Sequence, residues 1–220
     1  FAVEGGIYHS CEDDGGGHYI SPSVSWRPAT NVILSVGPQY NYSRNGSQFL
    51  QSVADPLATA TFGRRYGFGD LAQHTLSANL RFNWIFSPRL SFEMFAQPLV
   101  SSGAYRRVRE FQEPNSFRFL DYGTNGSTID RAAGMVDPDG DGPAPSFSIG
   151  QPDFTFASLR GNAVLRWEFA PGSTMFLVWT QDRAASEAAG EFRPSHSLGR
   201  LFDDTGRNVL MMKVSYWLSR

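Results

Sequence analysis

The sequence predicts an all-β chain whose antiparallel strands follow one another in an up-and-down order. The first observation is strict alternation: the even positions from Leu76 to Phe86 are apolar, and the odd positions are polar apart from Ile85. Successive side chains of a strand point to opposite faces, so this pattern indicates a strand with one apolar face, whereas a helix would mix the two sets. The second observation is that short proline-containing turns alternate with long polar connections.

The same alternation recurs along the chain and predicts eight strands. They lie at residues 1–9, 18–27, 31–43, 74–87, 90–103, 154–169, 173–183 and 208–218. Residues 58–70 also have a strand-like pattern, but a further spanning strand there would move the next proline turn to the opposite end of the sheet. We therefore predict that residues 58–70 form a hairpin within the preceding connection.

A short motif ends three of the alternating runs and precedes the next run. Proline fixes φ for a tight turn and cannot donate to the strand ladder, which suits it to such a turn. The other connections, at residues 11–17, 43–73, 101–152 and 181–207, are long and polar. Short turns at one end and long loops at the other are typical of outer-membrane barrels. The three motifs are Trp26-Arg27-Pro28, Phe86-Ser87-Pro88 and Phe169-Ala170-Pro171.

These features together predict an antiparallel up-and-down transmembrane β-barrel, or the C-terminal strands of a larger one. The runs reach the roughly 9–11 residues that a tilted strand needs to cross a bilayer, while no apolar run is long enough for a spanning helix. Trp26, Trp84, Trp167 and Trp217 fall near the end with the proline turns, where interfacial aromatic residues are expected, and Trp179 lies further up its strand. We interpret residues 1–220 as a single β-barrel domain, the C-terminal part of a longer chain.

The predicted location is the outer membrane of a Gram-negative-type bacterium, with outer-membrane lipid as the partner of the apolar faces. A soluble β-sandwich or jelly roll is the alternative, because alternation alone does not separate the two architectures. The side chains expected to contact lipid are Leu76, Leu80, Phe82, Phe92, Met94, Leu165 and Trp167.

Composition excludes several classes of protein. The 19 basic and 21 acidic residues give a net charge of −2, which provides no basic surface for nucleic acid. A single cysteine, Cys11, excludes an internal disulfide and any metal site built from several cysteines.

Charged residues share the polar faces of the predicted strands. In a barrel they project into the lumen, where water or cross-strand pairing must satisfy them. We expect structural ion pairing, with a permeation or substrate path as the alternative. The predicted lumen-facing charged network consists of Arg81, Glu93, Arg160, Arg166 and Glu168.

One loop carries the only metal-like spacing. Asp137, Asp139 and Asp141 are two residues apart, with Pro138 and Gly140 between them and Gly142 after them, a way to gather oxygen ligands for calcium. The rest of an EF-hand is missing, since Ser148 stands at the twelfth position, and an ordinary acidic turn is the alternative. No other cofactor is expected. The four histidines have no paired spacing, and no Gly-x-Ser-x-Gly motif selects a serine, so no catalytic residue is predicted.

Several segments resemble the DUF5916 family. They are SLRGNAVLRWEFAPGST at 158–174, FLVWTQ at 176–181, the run from TLS at 75 to SPRLS at 91, AQP at 96–98, SSG at 101–103 and KVSYWL at 213–218. The resemblance spans about residues 60–218. It implies a C-terminal outer-membrane β-barrel, which in full-length members is commonly preceded by a domain similar to carbohydrate-binding family 9. Members of the family are often described as membrane-associated hydrolases. No sugar-binding residue is carried over, because that domain is not in this sequence.

We therefore expect a membrane module that anchors, displays or exports a surface-associated assembly or a glycan-handling domain. One alternative is the membrane-anchoring part of a surface hydrolase that acts on polysaccharide, with no catalysis within these residues. Another is a soluble glycan-binding β-sandwich. The possible partners beyond lipid are polysaccharide or a surface protein.

Overall fold

Eight long antiparallel strands dominate the computed structural model, which describes residues 2–10, 15–116, 118–203 and 205–218. Cys11, in the first predicted connection, lies outside the described residues. The strands are β1 (Ala2–Ser10), β2 (Gly15–Ala29), β3 (Val32–Ala54), β4 (Arg64–Ser87), β5 (Leu90–Phe111), β10 (Phe154–Ala170), β11 (Ser173–Glu187) and β12 (Arg207–Ser215). Four short strands follow β5: β6 (Phe119–Asp121), β7 (Thr128–Asp130), β8 (Met135–Asp137) and β9 (Phe147–Ser148).

The long strands form one sheet in the order β1-β2-β3-β4-β5-β10-β11-β12, and every neighbouring pair is antiparallel. The predicted all-β, up-and-down architecture is therefore confirmed. Among the described residues, β1 and β12 are the two edges of this sheet. Strand β6 extends the ladder of β5, and β7, β8 and β9 form a separate small sheet.

Two-residue turns join β2 to β3, β4 to β5 and β10 to β11, and all three lie at the same end of the sheet. We call it the turn end and the opposite one the far end. The first turn differs slightly from the prediction: β2 continues through Pro28 to Ala29, and the turn is Thr30-Asn31. The register shifts between Trp26 and Ala29, and such an irregularity accommodates a proline that has no N–H to donate.

Strands β3, β4 and β5 are much longer than predicted. Residues 58–70 form no separate strand: Thr59–Thr61 is a 3-10 turn, and residues 64–70 are the beginning of β4. The β3–β4 hairpin thus extends well beyond the apolar alternation, held by backbone pairing as far as Ala54 and Arg64.

Two connections fold back onto the far end of the sheet. Helix α1 (Pro194–Arg200) belongs to a segment, residues 188–203, that packs through Phe192, Leu198 and Leu201 against Val100 and Ala157. Strands β6 to β9 pack through Tyr122 and Val136 against Val108. Within the described residues, no helix has the length and apolar character required to cross a membrane.

Tight packing at Gly103 provides a test of the ladder between β5 and β10. A Cβ there would lie 2.4 Å from the Phe154 ring and 2.9 Å from Leu71 Cδ1. We expect Gly103→Ala to lower the free energy of unfolding by about 1–3 kcal/mol, since an overpacked site must shift its neighbours. Gly67→Ala is the matched control, because the nearest atom to its Cβ is 3.6 Å away. Urea unfolding followed by tryptophan fluorescence measures both; equal effects would contradict the packing seen at Gly103.

Candidate functional site

Antiparallel register sorts the side chains of the eight long strands into two faces. Residues directly paired across two antiparallel strands project to the same side, so each chain of pairs defines a row. One row is Trp26, Leu34, Phe82, Met94, Ala163, Trp179 and Leu210, and the next towards the turn end is Val32, Trp84, Phe92, Leu165, Leu177 and Met212. Every member is apolar. We call this side of the sheet the apolar face.

The apolar face carries all seven side chains that the sequence predicts for lipid contact. Leu80, one row above Phe82, pairs with Val36 and Ala96, and Trp167 pairs with Leu90 and Met175. Trp179 lies further along its strand from the turn than Trp26, Trp84 and Trp167 do, and the register places it in the row of Trp26.

Much of the apolar face is open to the surroundings. Trp26 is 59 % exposed, Trp167 45 % and Leu210 68 %. Towards the far end the face is covered by residues 188–203, which bury Val100 and Ala157. An exposed apolar surface of this extent is unusual for a soluble monomer and marks a contact surface for a protein partner, a ligand or a membrane.

The opposite side of the sheet is polar. Its central row is Ser25, Ser35, Arg81, Phe95, Asn162, Thr180 and Val209, in which Phe95 and Val209 are the apolar members. The Arg81 guanidinium lies 5.3 Å from the centre of the Phe95 ring, and a groove of about 280 Å³ runs between Arg81, Glu93 and Asn162. We call this side the polar face.

All five residues of the predicted charged network lie on the polar face, but only two are linked to each other. Arg166 Nη2 is 3.9 Å from Glu168 Oε2, and Glu168 Oε1 also accepts a hydrogen bond from Gly172 N at 3.2 Å. Arg160 lies 3.6 Å from Asp182 on β11, an acid that the sequence did not single out. Arg81 and Glu93, which the structure also describes, line one groove, but their charged groups are not within 4.0 Å of each other.

The aspartates of the metal-like loop serve the turn. Asp137 Oδ1 accepts hydrogen bonds from the backbone N–H groups of Asp139 and Gly140, and Asp139 Oδ2 accepts one from Ala144 N. Among the residues that the structure describes, no group of three His, Cys, Asp or Glu side chains, Asp137, Asp139 and Asp141 included, is arranged to hold a metal ion. Calcium binding at this loop stays a prediction.

Two histidines come together on the apolar face, although their spacing in the sequence gives no signal. His18 and His74 flank Tyr42 in register on β2, β3 and β4, with ring centres 5.3 Å and 4.8 Å from the tyrosine ring. Tyr40 Oη is 2.8 Å from His74 Nδ1, and Phe192 stacks on the His74 ring. This aromatic cluster holds residues 188–203 against the sheet.

Buried ion pairs at the far end are the main feature that sequence reasoning missed. The Asp70 carboxylate is 2 % exposed and accepts two hydrogen bonds from Arg44, at 2.9 and 2.7 Å, and one from Arg107 at 3.2 Å. Arg65 bridges Asp55 and Glu110 at 2.6 Å each. The partners are distant in sequence, so no local motif could reveal them.

The ion pairs shift the pKa values of the buried acids. The hydrogen bond from Arg44 is the strongest influence on Asp70 and, helped by Arg107, holds the pKa of that carboxyl below its usual value despite burial. Burial raises the pKa of Asp55, but the hydrogen bonds from Arg65 and Leu57 N outweigh it and leave the pKa lowered. Both carboxylates are therefore ionised whenever the far end is folded near neutral pH.

A comparison with known protein families matches residues 2–219 to the family described as a domain of unknown function, DUF5916. The chain belongs to this family. The match confirms the resemblance seen in the sequence and extends it to β1, β2 and β3. Comparisons of this DUF5916 chain with curated proteins and with solved structures find no match.

Removal of the Asp70 charge tests the far-end ion pairs. Asp70→Asn removes the buried carboxylate that accepts hydrogen bonds from Arg44 and Arg107, and we expect the free energy of unfolding to fall by about 1–3 kcal/mol. Asp182→Asn, in the exposed pair with Arg160, should change it by less than about 0.5 kcal/mol. Urea unfolding of the two variants near neutral pH measures the difference.

The same variant has a pH signature. The folded-state pKa of Asp70 lies below its ordinary value. Its contribution to stability is therefore fully present above the unfolded pKa and is lost as the pH falls through the folded pKa. The gap between wild type and Asp70→Asn should narrow from neutral pH to about pH 3. A constant gap would show that Asp70 stabilises the fold without its charge.

Proposed function

We propose that these eight strands are part of an outer-membrane β-barrel that anchors, displays or exports a surface-associated assembly in a Gram-negative-type bacterium. The observation that carries the proposal is the apolar face, which is continuous across neighbouring strands and exposed near the turn end. Lipid is the partner that such a face fits, since hydrocarbon requires no hydrogen bonds from the side chains that it meets.

The height of the apolar face supports a bilayer as its partner. On β4 the apolar positions run from Leu76 to Phe86, ten residue steps along the strand. At about 3.4 Å per residue and a tilt of about 40°, these positions span about 25 Å, the height of the apolar band of outer-membrane barrels. In the soluble alternative another layer would have to cover this band, and residues 188–203 cover only its far-end part.

The two ends of the sheet also fit this proposal. Outer-membrane barrels have short periplasmic turns and long extracellular loops, so the turn end would be periplasmic. Trp26, Trp84 and Trp167 lie within a few residues of that end, at the level expected for an aromatic girdle.

Closure of the barrel is part of the proposal. Every backbone N–H and C=O within the hydrocarbon must be paired, so the edges β1 and β12 must meet each other or meet further strands of the protein. The rows of the apolar face reach β12 through Leu210 and Met212, which places lipid contacts at that edge as well. With the apolar face outward, Arg81, Glu93 and the rest of the polar face line the interior.

Opposite-face substitutions test the lipid contact. Leu80→Arg, near the middle of the apolar band, should destabilise the folded barrel in lipid by about 2–4 kcal/mol. Asn79→Arg, the neighbour on the polar face, is the matched control and should be tolerated. The fraction of each variant that runs as the folded band in unheated gels ranks the stabilities of the two variants. Spin labels at positions 80 and 165 that report water rather than hydrocarbon would exclude the membrane arrangement.

Protease accessibility tests the sidedness. With intact cells, we expect cleavage within residues 105–150 or 184–206 and protection of the turns at 30–31, 88–89 and 171–172, because the far end would be extracellular. Permeabilised cells are the control, in which the turn end becomes accessible. Cleavage at two of the three turns in intact cells would contradict the proposed orientation.

A further inference from the structure

The connection between β5 and β10 covers one particular face of the sheet. Odd-numbered residues of β4 project to the polar face, from Asn83 and Arg81 up to Gly69 and Gly67. Gly69 pairs with Val108, and Gly67 pairs with Glu110 on β5 and with Gln51 on β3. Val108, Glu110 and Gln51 therefore belong to the polar face at the far end.

Strands β6 to β9 pack on those residues. Val108, Tyr122 and Val136 form a buried cluster in which Val136 is only 1 % exposed, and Leu50, Ile129, Phe147 and Ile149 pack around it. The small sheet thus places its own apolar side chains against the otherwise polar face. This contact is a hydrophobic interface between the connection and the sheet.

Polar contacts fix the connection in its middle and at its C-terminal end. Gln51 Nε2 donates to Ser148 O at 2.6 Å, and Tyr105 N donates to Asp153 Oδ1 at 2.7 Å. Arg131 Nη1 donates to Tyr105 O at 2.7 Å, and its other terminal nitrogen donates to Arg106 O. Anchors on both β3 and β5 hold the small sheet across the strands.

Water is excluded beneath this cover. Asp55 is 2 % exposed and Glu110 7 %, and both pair with Arg65. Tyr122 lies over this group, and its burial raises the pKa of its hydroxyl well above the usual value. A loop that merely extended into solvent would leave Glu110 and Tyr122 hydrated.

We propose that residues 119–153 form a plug that closes the far end of the barrel interior. The inference rests on the proposed function, since the polar face is the interior only if the apolar face meets lipid. The plug decides whether the proposed barrel is an open channel or a closed one. The barrel is closed to ions at rest, and passage along the groove of Arg81, Glu93 and Asn162 requires displacement of β7, β8 and β9.

Conductance of the full-length protein in planar lipid bilayers tests the plug. The first variant replaces residues 123–150 with a short Gly-Ser linker, and the second is Val136→Asp, which puts a charge into the buried cluster. Ala133→Asp is the matched control, because Ala133 lies exposed in the same connection. Folding of each variant is checked by its mobility on unheated gels.

We expect wild type and Ala133→Asp to insert with little conductance, and the linker variant to conduct several-fold more. Bilayers that contain the Val136→Asp variant should show intermittent conductance. The plug proposal would be wrong if the linker variant folds and inserts but conducts no more than wild type. It would also be wrong if wild type already conducts as much as the linker variant. Either result would leave the barrel proposal intact. Failure of all proteins to enter lipid would contradict the proposed function itself, and the plug with it.

Discussion

Antiparallel register along β3, β4 and β5 is the constraint on which the rest of the structure depends. These strands are the longest of the sheet, and their pairing decides which side chains share a face. A slip of one residue would exchange Leu80 for Asn79 and move a whole strand's apolar set to the polar side. The apolar band, the polar groove and the positions of both folded-back connections all follow from this single alignment.

The far end and the turn end are stabilised by different interactions. Near the turns, side chains are exposed on both faces, and backbone pairing with the neighbouring strands holds the sheet. At the far end, buried side chains converge around Val100 on the apolar face and around Val108 on the polar face. The ion pairs of Asp70 and Arg65 lie at the same end, where burial shields them from water and from salt. The far end therefore has the rigidity of a folded core, and the turn end depends on what surrounds the sheet.

The sequence predicts the strands well where packing imposes a period of two. Leu76 to Phe86 alternate because one face must be apolar, and the three turn motifs follow from the chemistry of proline. It does not predict how far β3 continues, because residues 44–54 show no regular alternation of apolar and polar side chains and are held by backbone pairing with β4. The contacts of Asp70 with Arg44 and Arg107 join residues 26 and 37 positions apart, and no local signal links them. Arg81 and Glu93 are diagonal neighbours, with Phe95 and Asn83 directly opposite them, and the Arg81 guanidinium lies over the Phe95 ring.

The two edges of the sheet have a practical consequence. Within the described residues, β1 and β12 each pair on one side only, and both present apolar side chains, such as Ile7 and Met212, to the surroundings. An open edge beside apolar side chains is a template for pairing with another chain. Chains whose two edges stayed unpaired in this way would associate edge to edge into aggregates. Recovery of this protein in a native form therefore depends on both edges being paired or covered as the sheet forms.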